Sequence, residues 1–122
     1  MDLLLVDDSK TMRLLVQRAI RQAGYRSLTV CEAENGADAL EKLKTVAPKL
    51  ILSDWNMPEM SGIDFLRKLR EENNLTPFGF ITSEASPKFK DIALSNGASF
   101  IIIKPFNADD VQAALEPILG EG

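Results

Sequence analysis

Polar residues that could do chemistry follow four short apolar runs of this 122-residue sequence. Each group comes where an apolar run ends: Asp7 and Asp8 after 3–6, Asp54 at the end of 50–54, Thr82 and Ser83 where 78–82 ends, and Lys104 after 100–103. Three carboxylates brought together repel one another and respond by binding protons or a cation. Hard oxygen ligands without histidine or cysteine suit Mg²⁺. A divalent cation, a lysine and a hydroxyl would hold a phosphoryl group, and a carboxylate can attack phosphorus to give an acyl phosphate.

Short apolar runs alternate with segments of helical period along the chain. The predicted strands are 3–6, 28–32, 50–54, 78–82 and 100–103. The predicted helices are 12–23 with Ser9 as N-cap and Gly24 as C-cap, 37–45, 61–72, 87–96, and a last helix that Asn107 caps and Pro117 should kink or end. Continuous apolar strands separated by helices indicate a parallel sheet covered on both faces. We therefore predict an α/β fold, a doubly wound five-stranded parallel sheet with five helices.

In such a sheet, ligands lie at the carboxyl ends of the strands, beside the point where the strand order reverses. With the strand order 2-1-3-4-5, the first, third, fourth and fifth strands direct their terminal polar groups into one crevice. Alone, each residue has an ordinary explanation, since aspartates cap helices or lie in loops and a single lysine is usually solvated. Their conjunction at four strand ends favours a phosphoryl site. Asp54 is the best candidate nucleophile because its strand is central.

Composition argues against several classes of function. The chain carries 14 basic and 18 acidic residues, a net charge of -4, so we expect no direct binding to nucleic acid. The lack of histidine removes histidine-based catalysis and histidine zinc sites. One cysteine forms no internal disulfide and suits a reducing cytoplasm. The four apolar residues at 3–6 are too few for a signal peptide or a membrane span, so we expect a cytoplasmic protein without membrane insertion.

Four segments match one family in order and spacing: LLLVDDSKTMR at 3–13, ILSDWNMPEMSG at 51–62, FITSEAS at 80–86 and IIIKPF at 101–106. On these segments the chain resembles the receiver domain of two-component response regulators, and most closely their chemotaxis, CheY-like branch. The resemblance covers 2–119 and implies the flavodoxin-like, CheY-like three-layer sandwich. We assign 1–120 to one receiver domain, and 121–122 to a native tail or the scar of an expression vector.

The resemblance implies a role for each residue of the site. Asp54 would accept a phosphoryl group from a histidine kinase. Asp8 and Asp54, with the backbone carbonyl of Asn56, would ligate Mg²⁺, and Asp7 would contribute through a water molecule. Lys104 would pair with the phosphoryl oxygens.

The resemblance also implies how the signal is controlled. Thr82 would swing its hydroxyl toward the phosphoryl group, and Ser83 has the small side chain that leaves access for the phosphodonor. Asn56 and Glu84 occupy the positions that set the lifetime of the phosphoryl group in the family. Their identities match the short-lived chemotaxis pattern, so we expect a fast-decaying signal.

One residue departs from the family pattern. The switch position three residues before Lys104 usually holds an aromatic residue that turns inward, but here it is Ile101. Phe100 should point to the opposite face of the strand. This leaves the aromatic switch open, while a two-state equilibrium of the surrounding loops is still expected. The bond between Lys104 and Pro105 is expected to be a cis peptide bond.

Two kinds of partner follow from the resemblance: a histidine kinase as phosphodonor, and an output protein such as the flagellar motor switch. The output partner would bind the face that includes helix 87–96, Ile101 and Phe106. A receiver cut from a larger regulator would instead signal to a missing effector domain. We expect a monomer that assists only its own phosphorylation and dephosphorylation. The alternative is a Mg²⁺-dependent aspartyl phosphohydrolase, but the first strand is followed by Asp7-Asp8-Ser9 and not by the D-x-D pattern of such enzymes.

Overall fold

A computed structural model of the chain describes residues 1–120, so the prediction for residues 121–122 lies outside the described residues. Within 1–120, five strands alternate with five helices, as predicted. In chain order they are β1 Leu3–Val6, α1 Lys10–Gln22, β2 Val30–Ala33, α2 Gly36–Lys42, β3 Leu50–Asp54, α3 Gly62–Glu71, β4 Phe78–Thr82, α4 Pro87–Ser95, β5 Phe100–Ile103 and α5 Ala108–Leu119. The bounds of β1, β3, β4 and β5 are the predicted ones.

The strands form one parallel sheet in the order β2-β1-β3-β4-β5, which confirms the predicted topology. The central strand β3 pairs with β1 and β4, and it is buried along its length except at its last residue, Asp54. Val6 lies opposite Ser53, and Asp54 lies opposite Ile81. Because the paired strands run in the same direction and stop at nearly the same level, their carboxyl ends meet at one edge of the sheet.

Helices cover both faces of the sheet and give the three predicted layers. On one face α1 and α5 pack over a core that includes Ile20 and Leu52, and on the other face α2, α3 and α4 pack over a core that includes Phe65 and Phe80. Adjacent strand residues point to opposite faces. Burial of each large apolar side chain favours the fold by about 1.5–3 kcal/mol. No helix within 1–120 is both long and apolar enough to span a membrane.

Polar side chains set where most of the helices begin. Ser9, Asn35, Ser61 and Asn107 each accept a hydrogen bond from a backbone N–H three residues further along the chain. Such bonds satisfy donors that the first turn of a helix leaves without a partner. The exception is α4, because Ser86 at its N-terminus makes no capping hydrogen bond with its side chain.

Helix bounds differ from the prediction by a few residues: α1 begins at Lys10, two residues early, and its C-cap is Ala23 and not Gly24. Three further differences have a local cause. β2 begins at Val30, two residues late, because the backbone and hydroxyl of Thr29 are bonded to Asp2. α2 ends at Lys42, because the following residues tighten into a turn. Pro117 does not end α5, which continues to Leu119, since a proline so near the end removes one hydrogen bond of the last turns.

The first prediction concerns the core under the central strand. Leu52 is completely buried in β3, so we expect Leu52→Ala to lower the free energy of unfolding by about 2–5 kcal/mol in urea denaturation. Leu75→Ala is the matched control, because Leu75 is 77% exposed and its truncation should change that free energy by less than about 0.5 kcal/mol. Similar losses in the two variants would contradict the core position of Leu52.

Candidate functional site

Asp54 is held at the point where the buried central strand reaches the edge of the sheet. Its carboxylate Oδ1 accepts a hydrogen bond of 2.9 Å from the backbone N–H of Trp55. The Ser53 hydroxyl donates to the backbone carbonyl of Asp54 at 2.9 Å. Gly62 packs so closely against that carbonyl that a Cβ would collide with it. Among residues 1–120, the other carboxylate oxygen, Oδ2, makes no hydrogen bond to protein, so it can act on a ligand.

Asp7 and Asp8 follow β1 and bring two more carboxylates to the same place. Oxygens of Asp7, Asp8 and Asp54 all lie within 4.8 Å of one another. Asp7 is 4% exposed, whereas Asp8 is exposed. Burial raises the pKa of the Asp7 carboxyl, the backbone N–H of Ser9 lowers it, and the carboxylate of Asp54 raises it further. The charge of Lys104 lowers this pKa and that of Asp8 raises it, with a net shift upward.

Lys104 supplies the positive charge of the site. Its Nζ lies 3.4 Å from Oδ1 of Asp54, and its side chain is 21% exposed. Its backbone N–H donates to the carbonyl of Thr82 at 2.8 Å, which continues the pairing of β4 and β5 past the end of β5. The peptide bond from Lys104 to Pro105 is cis, as expected. The backbone of Lys104 is therefore fixed against β4, and its side chain points to Asp54.

The donor set fits a magnesium ion. The three clustered groups offer only hard carboxylate oxygens, which Mg²⁺ prefers. Burial first, and then the charges of Asp54 and Asp8, keep the pKa of Asp7 raised despite Lys104, and a bound divalent cation would favour the charged carboxylate. Asp7, Asp8 and Asp54 would hold the ion, and the contribution of the Asn56 carbonyl stays a prediction.

The remaining predicted site residues lie near the same edge. Thr82 is buried, and its hydroxyl oxygen accepts a hydrogen bond of 3.1 Å from the backbone N–H of Glu84. Ser83 and Asn56 are exposed, and Glu84 is half-buried. Position and exposure are therefore compatible with the roles predicted for these residues.

Ile101 and Phe100 pack on opposite faces of the sheet, as predicted. Ile101 is half-buried against the core on the side of α2, α3 and α4. On that side Trp55, which follows directly on β3, makes two aromatic contacts. The ring of Trp55 lies 4.7 Å from that of Phe80 and meets the ring of Phe89, in α4, edge-on at 5.2 Å. An aromatic contact thus joins the end of β3 to α4.

Sequence reasoning missed one residue that touches the acidic cluster. Arg13, in α1, is 9% exposed and donates from Nη1 to the backbone carbonyl of Asp7 at 2.6 Å. Its Nε donates to the carboxylate of Glu32 at 2.9 Å. The available signal was periodicity, because Arg13 lies three residues before Val16 on the buried stripe of α1.

Similarity to known proteins extends over nearly the whole chain. Residues 3–116 match the family model described as the response regulator receiver domain. The chain is 41% identical over 123 residues to chemotaxis protein CheY1 of Helicobacter pylori strain J99, with 98% of each chain covered. It is 37% identical over 125 residues to the chemotaxis protein CheY homolog of Campylobacter jejuni, with 100% of this chain and 95% of the relative covered.

Solved structures of response regulators are also similar to this chain over nearly its whole length. The chemotaxis response regulator CheY4 of Vibrio cholerae has a TM-score of 0.83 at 34% identity, with 97% of this chain and 98% of that chain covered. The Francisella response regulator 1452 receiver domain has a TM-score of 0.85 at 26% identity, with 96% of this chain and 94% of that chain covered.

The second prediction follows from the charge on Asp7. A carboxyl whose pKa is raised by folding stabilises the fold while it is protonated, and that contribution is lost as the pH rises through the raised pKa. Ionised Asp7 therefore opposes folding at neutral pH. We expect Asp7→Asn to increase the free energy of unfolding, measured by urea denaturation with a metal chelator present.

Excess Mg²⁺ should reverse this difference, because Asp7→Asn removes one charge that attracts the cation. Asp91→Asn is the matched control, since Asp91 is exposed in α4 and its change should have an effect below about 0.5 kcal/mol. A metal-free Asp7→Asn protein that is less stable than the parent at neutral pH would contradict this account.

Proposed function

Because the chain belongs to the response regulator receiver domain family, the phosphoacceptor modules of two-component signalling, we propose that Asp54 is its phosphoacceptor and that phosphorylation switches a partner-binding surface. The observation that carries the proposal is the convergence on one sheet edge of Asp54, Lys104 and the Asp7–Asp8 pair. Family membership makes it a signalling protein and not a classical enzyme. Its assistance to its own phosphorylation and dephosphorylation is part of the proposal.

The proposed reaction is phosphoryl transfer from a phosphohistidine of a histidine kinase. An oxygen of the Asp54 carboxylate attacks phosphorus, the new O–P bond gives an acyl phosphate, and the P–N bond to the imidazole of the kinase breaks. Oδ2 is the better placed oxygen, since Oδ1 is engaged by Trp55 and Lys104. The ammonium of Lys104 can then pair with a phosphoryl oxygen in place of the carboxylate.

Mg²⁺, when bound, neutralises charge that builds up on the phosphoryl oxygens. Asp7 and Asp8 are the residues that would hold it beside Asp54. The burial of Asp7 and its hydrogen bond from Ser9 fix one carboxylate, while exposed Asp8 leaves a side open to solvent. This arrangement suits an ion that retains several water ligands.

The phosphoryl group would act on Thr82 and the loop that follows it. It brings about one to two negative charges and strong hydrogen-bond acceptors next to Lys104. The hydroxyl of Thr82 accepts from Glu84 and keeps its own hydrogen to donate. Donation to a phosphoryl oxygen would stabilise one arrangement of 82–88, and a few kcal/mol are enough to shift a two-state population.

The face of α4, β5 and α5 is the proposed partner surface. Leu94 and Ile103 are exposed apolar side chains there, 43% and 38% exposed, beside a depression of about 500 Å³ between α4 and β5. The contact of Phe89 with Trp55 supports α4 as an element that can respond to the site. Phe106 is half-buried and packs against the core on the α1 and α5 side, so any contact it makes with a partner uses only part of its ring.

The chemotaxis relatives favour a motility output for this surface. We propose a histidine kinase as the phosphodonor and an output protein such as the flagellar motor switch as the binding partner. An effector domain that continues from this chain is the alternative output. We also propose that the protein acts in the cytoplasm, where either output would operate.

The third prediction tests the phosphoacceptor directly. Incubation with acetyl phosphate and Mg²⁺ should add the mass of one phosphoryl group to the intact protein. Asp54→Asn, which replaces a carboxylate oxygen with an amide nitrogen, should gain no mass. Omission of Mg²⁺ should strongly reduce the mass gain of the parent. A gain of equal size in Asp54→Asn would place the phosphoryl group elsewhere and refute the proposal.

The fourth prediction concerns the switch. We expect Thr82→Ala to reduce the response more than Ile101→Ala, because Thr82 is the residue that can bond the phosphoryl group directly. The measurement is the change in amide hydrogen exchange of α4 and β5 when acetyl phosphate and Mg²⁺ are added. Equal losses of this change in the two variants would count against a leading role for Thr82.

A further inference from the structure

Arg13 links the acidic cluster to the body of the fold. Its guanidinium lies on the buried side of α1 and makes two hydrogen bonds in different directions. Nη1 donates to the backbone carbonyl of Asp7 at 2.6 Å, and Nε donates to the carboxylate of Glu32, the residue before the last of β2, at 2.9 Å. A planar guanidinium can hold two such acceptors in a fixed relation, which an ammonium cannot.

Each polar group of Asp7 has a protein partner. Its N–H donates to the carbonyl of Ala33 at 3.1 Å, and its Oδ1 accepts from the N–H of Ser9 at 2.9 Å. Its carbonyl lies beyond the last paired residue of β1, Val6, and accepts from Arg13. In this set only the bond from Arg13 comes from the side chain of another residue. It fixes the carbonyl that sets the direction of the chain into Asp8.

We propose that Arg13 is a positioning residue for the metal ion: it fixes the backbone of Asp7 so that the Asp7 and Asp8 carboxylates face Asp54. This inference rests on the proposed function, since it assigns a role toward the Mg²⁺ that phosphorylation uses. Arg13 bonds to the backbone carbonyl of Asp7 and not to its carboxylate. It acts through the peptide that joins the two carboxylates.

Positioning and simple charge predict opposite effects on Mg²⁺ affinity. A buried positive charge next to the cluster repels a divalent cation, so its removal would tighten Mg²⁺ binding if charge were its main contribution. Loss of the bond to the Asp7 carbonyl would instead let the Asp7–Asp8 peptide rotate and weaken binding. Residues that orient metal ligands typically contribute 10–100-fold in affinity.

Glu32 supports the guanidinium from the other side. Its side chain is 44% exposed, and its backbone carbonyl accepts from Nζ of Lys42. Glu32→Gln keeps an acceptor for Arg13 and leaves the bond to Asp7 in place. The effect of this substitution on Mg²⁺ affinity should therefore be smaller than that of a change at Arg13.

The test is a calorimetric titration of the metal-free protein with Mg²⁺. We expect Arg13→Met and Arg13→Lys both to weaken binding by about tenfold or more, because lysine keeps the charge but not the two-acceptor geometry. Arg18→Met is the matched control: Arg18 is an exposed arginine in the same helix, and its loss should leave Mg²⁺ affinity within about twofold.

Circular dichroism and urea denaturation of each variant report folding and stability, and so separate positioning of the metal ligands from mere structural support. If Arg13→Met and Arg13→Lys fold and bind Mg²⁺ as tightly as the parent, or more tightly, the inference is overturned even where their stability has dropped. If Arg13→Met does not fold, Arg13→Lys decides the matter, and parent-like Mg²⁺ affinity in that variant overturns the inference. A parent protein that binds no Mg²⁺ would refute the proposed metal site itself, a failure that is distinct from parent binding with unaffected variants.

Discussion

Repulsion among three carboxylates at one edge of the sheet is the constraint on which the site depends. Asp7, Asp8 and Asp54 come from two adjacent parallel strands whose ends are level, so the topology itself brings the charges together. Lys104 offsets part of that repulsion, and the pKa of Asp7 remains raised. The fold therefore holds a destabilising cluster of charge that a cation and a phosphoryl group can use. Stability and activity oppose each other here, as is common where ionisable groups converge.

Such a cluster can persist only because the frame around it is rigid. β3 is buried on both faces, and hydrogen bonds or close packing from Ser53, Trp55 and Gly62 hold Asp54 where the strand ends. Asp7 has a partner for its N–H, its carbonyl and its carboxylate. The carboxylates of Asp7 and Asp54 cannot relax apart without breaking these contacts. Binding of a cation is then favoured over rearrangement, because two of its three carboxylate ligands are ordered before the ion arrives.

The parts of the fold that the sequence predicted best are those that burial controls. β1, β3 and β4 were predictable to the residue, because apolar runs that meet a polar residue at their carboxyl end mark buried strands. The bounds predicted for the edge strand β2 were wrong, since its start depends on hydrogen bonds that Thr29 donates to the carboxylate of Asp2, far away in the sequence. Arg13 was overlooked for a related reason. The sequence alone suggests that an arginine in a helix lies on the surface. Its burial can be inferred only when its hydrogen-bond acceptors, which lie elsewhere in the chain, are known.

A switch also needs an element that is held less firmly than the site that drives it. α3 buries five residues, and the side chain of Ser61 caps it by accepting from the N–H of Asp64, whereas α4 buries only Ala93 among its residues and has no side-chain cap. Phe89 gives α4 a half-buried contact with Trp55, which is adjacent in sequence to the phosphoacceptor candidate Asp54. On the proposed function, a new charge at Asp54 would act on a rigid strand end and would be transmitted to a weakly anchored helix. That difference in anchoring would let a local change of a few kcal/mol alter the surface formed by α4.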